Sequence, residues 1–170
     1  MIQFGVEDEK MTTAPQVLSI IDDTATGRMC GTLKVSLALT YTGEPGADFA
    51  PTGLPELDEI LKRSRPVYTD TERVYTITFP DYIVYQVRCE SFTIRDDYEV
   101  MRGRFFAIYE KSRLLDNVEK ITIAQKTPDG RYYPGEWTHY AINAEKHIID
   151  VITASEPEIA ESKFDPRFVR

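Results

Sequence analysis

The sequence contains few of the side chains that build metal, disulfide or redox sites. Only two of its 170 residues are cysteine and only two are histidine. Cys30 and Cys89 lie far apart and cannot make a disulfide framework, and so few nitrogen and sulfur ligands predict no metal site. Glycine-rich phosphate loops, Cys-x-x-Cys, His-Glu-x-x-His and Gly-x-Ser-x-Gly are also absent, so we expect no cofactor.

Long apolar runs and an excess of positive charge are absent as well. No segment approaches the roughly 18 consecutive apolar residues of a membrane span, and no basic stretch precedes an apolar one at the start, so we predict neither a transmembrane helix nor a secretion signal. We therefore expect a cytoplasmic protein with reduced cysteines. The net charge of −8 disfavours nucleic acids and anionic membranes as partners. It suits a basic protein partner, and it equally serves solubility alone.

The length and composition predict one domain with its own hydrophobic core. Hydrophobic residues make up 42% of the chain, and ten Tyr and eight Phe argue against disorder. We interpret residues 1–170 as a single domain. Met11 offers an alternative start, in which case residues 1–12 form a flexible leader. The charged tail, residues 156–170, is expected to dock loosely or as a short helix.

Apolar and polar residues alternate along much of the chain, and this period of two predicts strands. The segments concerned are 16–21, 33–41, 75–79, 82–88, 104–110, 120–126, 136–143 and 147–153. A helix is predicted at 54–64, where apolar residues recur at helical spacing, Pro55 suits the first turn, and acidic residues precede basic ones. A second, short helix is predicted at 112–118, with Ser112 as its N-cap.

The connections between these elements decide the fold class. Consecutive strands joined by short connections pair antiparallel, and no strand–helix–strand rhythm of a Rossmann-type sheet is present. The sequence therefore predicts an α+β fold that is mainly antiparallel β. We expect a curved sheet, a partial barrel or a sandwich, with the helix at 54–64 packed on it.

The last predicted hairpin carries the candidates for chemistry. With a turn at 144–146, Asp150 shares a face with Tyr140, and His139 shares the opposite face with His147, too far from it to hold one metal. A carboxylate among apolar side chains has its pKa raised by desolvation, which would suit a general acid or base. The alternative is a structural aspartate that accepts hydrogen bonds from backbone N–H groups. The catalytic candidates are thus Asp150, Tyr140 and His139.

A polar segment follows the predicted strand at 82–88. Cys89 would be nucleophilic if a neighbouring cation or imidazole lowered its pKa, whereas a buried, inert thiol is the commoner situation. Four acidic residues then surround an expected loop, and they are Glu90, Asp96, Asp97 and Glu99. They suit a Lys or Arg supplied by a partner, or they are simply solvated.

A short aromatic stretch follows the turn that Pro128 and Gly130 predict. It contains Tyr132, Tyr133 and Trp137. Exposed Tyr and Trp side chains would mark a binding surface. The alternative is that they fold back over the end of the sheet, and the two arrangements stay open at this point.

Three segments of the second half, 82–91, 109–116 and 147–152, together resemble a set of small, stand-alone bacterial proteins of unknown function. The resemblance does not extend to the first seventy residues. It implies a bacterial, single-domain protein. No activity accompanies it, so it assigns no functional residue.

These observations favour a non-enzymatic module that binds another protein through an acidic, aromatic-containing face. An antidote-type protein that captures a basic toxin is one such module. The alternative is a small-molecule-binding protein or an enzyme with a pocket at the open end of the sheet, lined by Asp150, Tyr140 and His139. A homodimer built through an edge strand is a third hypothesis.

Overall fold

The computed structural model describes residues 2–7, 9, 11–24, 31–94 and 96–164. Cys30 and parts of the expected leader and tail lie outside these ranges. The strands are β1 (Gln16–Asp23), β2 (Thr32–Ala38), β3 (Thr40–Thr42), β4 (Val67–Thr69), β5 (Arg73–Pro80), β6 (Tyr82–Cys89), β7 (Val100–Arg102), β8 (Phe106–Lys111), β9 (Gln125–Lys126), β10 (Tyr132–Tyr133), β11 (Thr138–Asn143), β12 (His147–Thr153) and β13 (Glu158–Lys163). The helices are α1 (Pro55–Arg63), between β3 and β4, and α2 (Arg113–Ile121), between β8 and β9.

The strands form two main sheets. The first has the order β1-β2-β5-β13, the second has the order β6-β12-β11-β8-β7, and β3–β4 and β9–β10 are two-stranded. Every pairing is antiparallel. This confirms the predicted α+β, mainly antiparallel class. In the described part of the chain, neither helix has the length and apolarity that crossing a membrane requires.

The hydrophobic core lies between the two sheets. Leu33 of β2 and Ile77 and Phe79 of β5 form one cluster with Ile142 of β11 and Ile149 of β12, and all five are 0% exposed. Because side chains alternate across a strand, these positions define the inner face of each sheet. The two sheets therefore pack face to face as a sandwich.

The first residues also contribute to this core. The ring of Phe4 lies 6.0 Å from that of Phe79, 5.6 Å from that of Phe106 and 5.1 Å from that of Tyr140, all in edge-on arrangements. Ile2 is buried in the same cluster. Within the segment expected to be a leader, Ile2 and Phe4 are thus parts of the folded unit.

Helix α1 forms as predicted, but it does not pack on a sheet. None of its residues is buried, and Leu54 and Ile60 are 61% and 64% exposed. The reason is its place in the fold. Strands β3 and β4 pair just beyond β2 and β5, Asp70 N–H bonds the Leu39 carbonyl there, and α1 occupies the tip of that ribbon.

Helix α2 is the helix that covers the second sheet. Its predicted N-cap is confirmed, since the Ser112 hydroxyl accepts a hydrogen bond from Leu115 N–H at 3.0 Å. Leu114 and Val118 are buried and pack with Ile152 on the outer face of that sheet. The amphipathic stripe of α2 therefore closes a second, smaller core.

Two segments adopt structures other than those predicted. Residues 120–126 were expected to form one strand, yet α2 continues to Ile121 and only Gln125–Lys126 pairs. The tail was expected to be loose or helical, yet β13 pairs with β5 along Glu158–Lys163. This pairing satisfies backbone N–H and C=O groups of β5 that would otherwise lie unpaired at the edge of the sheet.

Candidate functional site

The hairpin of β11 and β12 forms as predicted, but its register differs by one residue. Asn143 pairs with Ile148 rather than with His147, because the hairpin closes through a hydrogen bond from Ala144 N–H to the His147 carbonyl. A slip of one residue moves every side chain of one strand to the other face. The predicted distribution of side chains over the two faces is therefore wrong.

The corrected register brings His139 and Asp150 together on the outer face. Tyr140 lies on the inner face instead, with its ring in the core against Phe4 and Phe79. Tyr140 and His139 line one depression of the surface, but Asp150 is not among its lining residues, so it does not hold the three candidates together as the small-molecule hypothesis required. His147 is exposed at the end of β12.

Asp150 is the centre of a buried polar network. Its side chain is 0% exposed and receives four hydrogen bonds. Arg88 donates from Nε at 2.8 Å and from Nη2 at 3.1 Å, Gln86 donates from Nε2 at 3.0 Å, and His139 Nε2 lies 3.2 Å from Oδ1. Gln86 and Arg88 lie two residues apart on β6, which pairs with β12. Both side chains therefore point to the outer face.

His139 links this network to α2. Its Nδ1 lies 2.8 Å from the Ser112 hydroxyl, and its ring stacks on Tyr109 with the centroids 4.5 Å apart. Because a carboxylate only accepts, Nε2 carries the proton that bonds Asp150. The Ser112 hydroxyl oxygen also accepts Leu115 N–H, so Ser112 connects Nδ1 of His139 to the first turn of α2.

These contacts determine the chemistry open to Asp150. Burial by itself raises the pKa of this carboxyl, but the hydrogen bonds from His139 and Arg88 outweigh it and hold the pKa below its ordinary value. The prediction of a raised pKa is therefore wrong. A carboxylate with four donors has little capacity left to accept a proton, so Asp150 acts here as a fixed charge that orients Arg88 and His139.

Sequence reasoning missed the partners of Asp150. Neither Arg88 nor Gln86 was predicted to be a partner of Asp150, and Ser112 was predicted only as an N-cap. A signal was present in the sequence, because Gln86 and Arg88 are polar residues two apart on an otherwise apolar strand. They therefore share one face of that strand. Pairing β6 with β12 was the missing step.

The four predicted acidic residues line one groove. It has a volume of about 650 Å³ and also receives Glu145. Among the described residues that line it, five are acidic and one, Arg104, is basic. Apolar side chains complete the lining, and they are Ile94, Met101, Phe105 and Ile148. The groove is thus both acidic and apolar.

Arg113 neutralises part of this acidity. Its Nη2 lies 2.5 Å from Asp96 and its Nη1 lies 3.8 Å from Glu99, and the hydrogen bond from Arg113 lowers the pKa of Asp96. Within the described parts of the chain, no side chain pairs with the carboxylates of Asp97 and Glu145. These two are the acids best placed to meet a ligand.

Large apolar side chains are exposed on the same segment. Phe92 is 88% exposed, Ile94 66% and Met101 47%. Phe92 lies in the single helical turn Glu90–Phe92 that follows β6. Exposure of one such residue is ordinary, whereas three on one segment make this part of the surface unusually apolar.

The predicted aromatic residues lie elsewhere. Trp137 packs against the small core under α2, and its ring meets that of Tyr132 edge-on at 4.7 Å. Both line a separate depression of about 340 Å³, whereas Tyr133 is 48% exposed. The acidic and aromatic candidates therefore line two different depressions.

Cys89 is exposed, which contradicts the expectation of a buried thiol. It ends β6, where the strand leaves the sheet, and it pairs in register with His147.

Among the described residues, no three His, Cys, Asp or Glu side chains are placed to hold one metal ion.

No protein-family profile matches the chain, and no curated protein and no solved structure is significantly similar to it. The resemblance of the second half to small bacterial proteins therefore stays a prediction.

Proposed function

We propose that the protein is a binding module that holds a basic, partly apolar segment of another protein in the groove lined by Glu90, Asp97 and Glu145. The observation that carries this proposal is the exposure of Phe92 and Ile94 beside that groove. A basic toxin captured by an antidote-type protein is one partner with this chemistry.

The apolar residues supply the binding energy in this proposal. Burying apolar area contributes about 25 cal/mol per Å². Phe92 and Ile94 still expose most of their apolar area, which a partner could bury. Interfaces draw most of their affinity from a few such side chains in the centre of the contact. Phe92 and Ile94 are therefore the expected centre.

The acids supply selectivity and rate of association. Of the described residues that line the groove, five carry a carboxylate and one a guanidinium, and the whole chain carries a charge of −8. An excess of negative charge attracts basic partners and excludes acidic ones. Arg113 already pairs with Asp96 and Glu99, which leaves Asp97 and Glu145 as the contacts for a partner's Lys or Arg.

The test is chemical crosslinking of the purified protein in an extract of its host, with the products identified by mass spectrometry. We expect a basic protein whose recovery falls as salt rises, because exposed charges are screened. The double variant Asp97→Lys/Glu145→Lys and the single variant Phe92→Ser are each expected to lose it.

Ile123→Ser is the matched control, since Ile123 is 80% exposed and lies outside residues 90–101, which carry Phe92 and supply four of the described acids of the groove. It should recover the same partner as the unaltered chain. Equal recovery by Phe92→Ser and by Ile123→Ser would refute the assignment of the groove. A partner of acidic character would refute the charge argument.

A further inference from the structure

The two main sheets have four edge strands, and three of them carry features that hinder further pairing. Strand β13 is charged along its length, with Glu158, Glu161 and Lys163. Strand β7 has only three residues. Strand β1 has a register shift within it, between Val17 and Ser19. Short length, charge and bulges are the usual means by which proteins protect an exposed edge.

Strand β6 carries fewer of these features, since its register shift lies at its very start, between Tyr82 and Val84. It is eight residues long, it borders the second sheet, and β12 is its one neighbour there. Its pairing with β12 is regular from Val84 to Cys89. Residues 82–87 include no charged side chain and no proline. Between described residues, β12 is the only element whose backbone hydrogen bonds reach residues 83–88.

The side chains of β6 also leave apolar surface open at the margin of the core. Val87 is 43% exposed although it pairs directly with Ile149, which is 0% exposed. Val87 therefore lies on the inner face, at the point where the core ends. The exposed apolar residue of β1, Ile21, pairs with Lys34 instead, and Lys34 is not part of that core.

We infer that β6 pairs antiparallel with β6 of a second copy of this chain, so that the two five-stranded sheets become one continuous sheet. A twofold axis sets the strand against itself, and like charges opposite each other would oppose that pairing. Residues 82–87 contribute none. Arg88, the one charge on the strand, already bonds Asp150 within its own chain. The added strand covers Val87 and satisfies the outward backbone groups of β6.

Sedimentation velocity on the full chain tests this inference across a dilution series. The unaltered protein should sediment as a dimer that dissociates on dilution. Val87→Lys should sediment as a monomer, because the dimer would bury its charge near the twofold axis. Ile21→Lys is the matched control, since it places the same charge on the long edge of the other sheet, and it should remain dimeric.

Hydrogen exchange gives a second measurement that needs no variant. Backbone amides within residues 83–88 should exchange more slowly in concentrated than in dilute samples of the unaltered protein. A monomer at every concentration would overturn the inference, and so would a dimer that Ile21→Lys dissociates and Val87→Lys does not. These residues are separate from the groove, so loss of the dimer and loss of the proposed partner are independent results.

Discussion

At the middle of β12, neighbouring residues on the two faces of the five-stranded sheet are fully buried by opposite means. On the inner face, Ile149 and Val151 are 0% exposed and pack against the first sheet. On the outer face, Asp150 is also 0% exposed, but Arg88 and His139 surround it. The inner face is stabilised by removing apolar area from water. Around Asp150, the outer face is stable only while each buried polar group keeps its partner, so the surroundings of Asp150 and of Ile149 should respond differently to substitution.

Removing Arg88 should have the largest effect. Arg88→Met leaves the Asp150 carboxylate buried without its two strongest donors, and breaking a buried pair on one side costs about 3 to 5 kcal/mol of unfolding free energy. Urea unfolding followed by circular dichroism measures this loss.

The double variant Arg88→Met/Asp150→Leu separates lost pairing from lost packing. Replacing a whole buried pair by apolar side chains is often neutral or stabilising, so the double variant should be more stable than Arg88→Met alone. If the two variants are equally unstable, the loss comes from the missing volume of the Arg88 side chain and not from its charge. The expected difference between the two faces would then be wrong.

On the inner face, Ile149→Ala should cost about 3 kcal/mol, because it removes buried methylene groups and leaves a cavity between the sheets. Because this substitution leaves no unpaired charge, a second substitution at a contacting residue should not restore the lost stability. The same urea experiment checks it. A cost below about 1 kcal/mol would show that the two sheets close around the cavity or pack more loosely than described.

The response to acid should distinguish the faces more finely. The pKa of Asp150 is lower in the folded than in the unfolded chain, so its contribution to stability is present above the unfolded value, near pH 3.9, and is lost as the pH falls through the folded value. The stability difference between the unaltered protein and Asp150→Asn should therefore shrink on acidification. The variant Ile149→Ala should keep a constant difference over the same pH range. A difference for Asp150→Asn that grows in acid would contradict the lowered pKa.

Local patterns account for the parts of this fold that were predictable. Alternation placed β2, β5, β6 and the last hairpin, and the hydroxyl of Ser112 before an apolar stripe placed the start of α2. Each depends on residues close together in the chain. The inner faces of β2 and β5 followed from this alternation, whereas that of the last hairpin did not, because its register differs by one residue from the prediction.

Pairings between distant segments account for what was missed. The partners of Asp150 depend on β6 lying beside β12, more than sixty residues away for Gln86 and Arg88, and no local pattern specifies that neighbour. The face on which His139 lies depends on the register of the hairpin, which differs by one residue from the predicted register. The acidic groove was better predicted, because its four acids are close in sequence, but Glu145 reached it only through the fold.

The smallest effect is expected from α1, which covers neither face of the five-stranded sheet. The sequences of α1 and α2 have similar apolar spacing, yet Ile60 of α1 is 64% exposed and Val118 of α2 is 1% exposed. Ile60→Ser should therefore change the free energy of unfolding by less than about 0.5 kcal/mol, whereas Val118→Ala should cost about 2 kcal/mol. Urea unfolding of both variants, at one protein concentration, gives the comparison. An Ile60→Ser variant as unstable as Val118→Ala would mean that α1 is covered in solution, and repeating the measurement at several concentrations would show whether a second copy of the chain covers it.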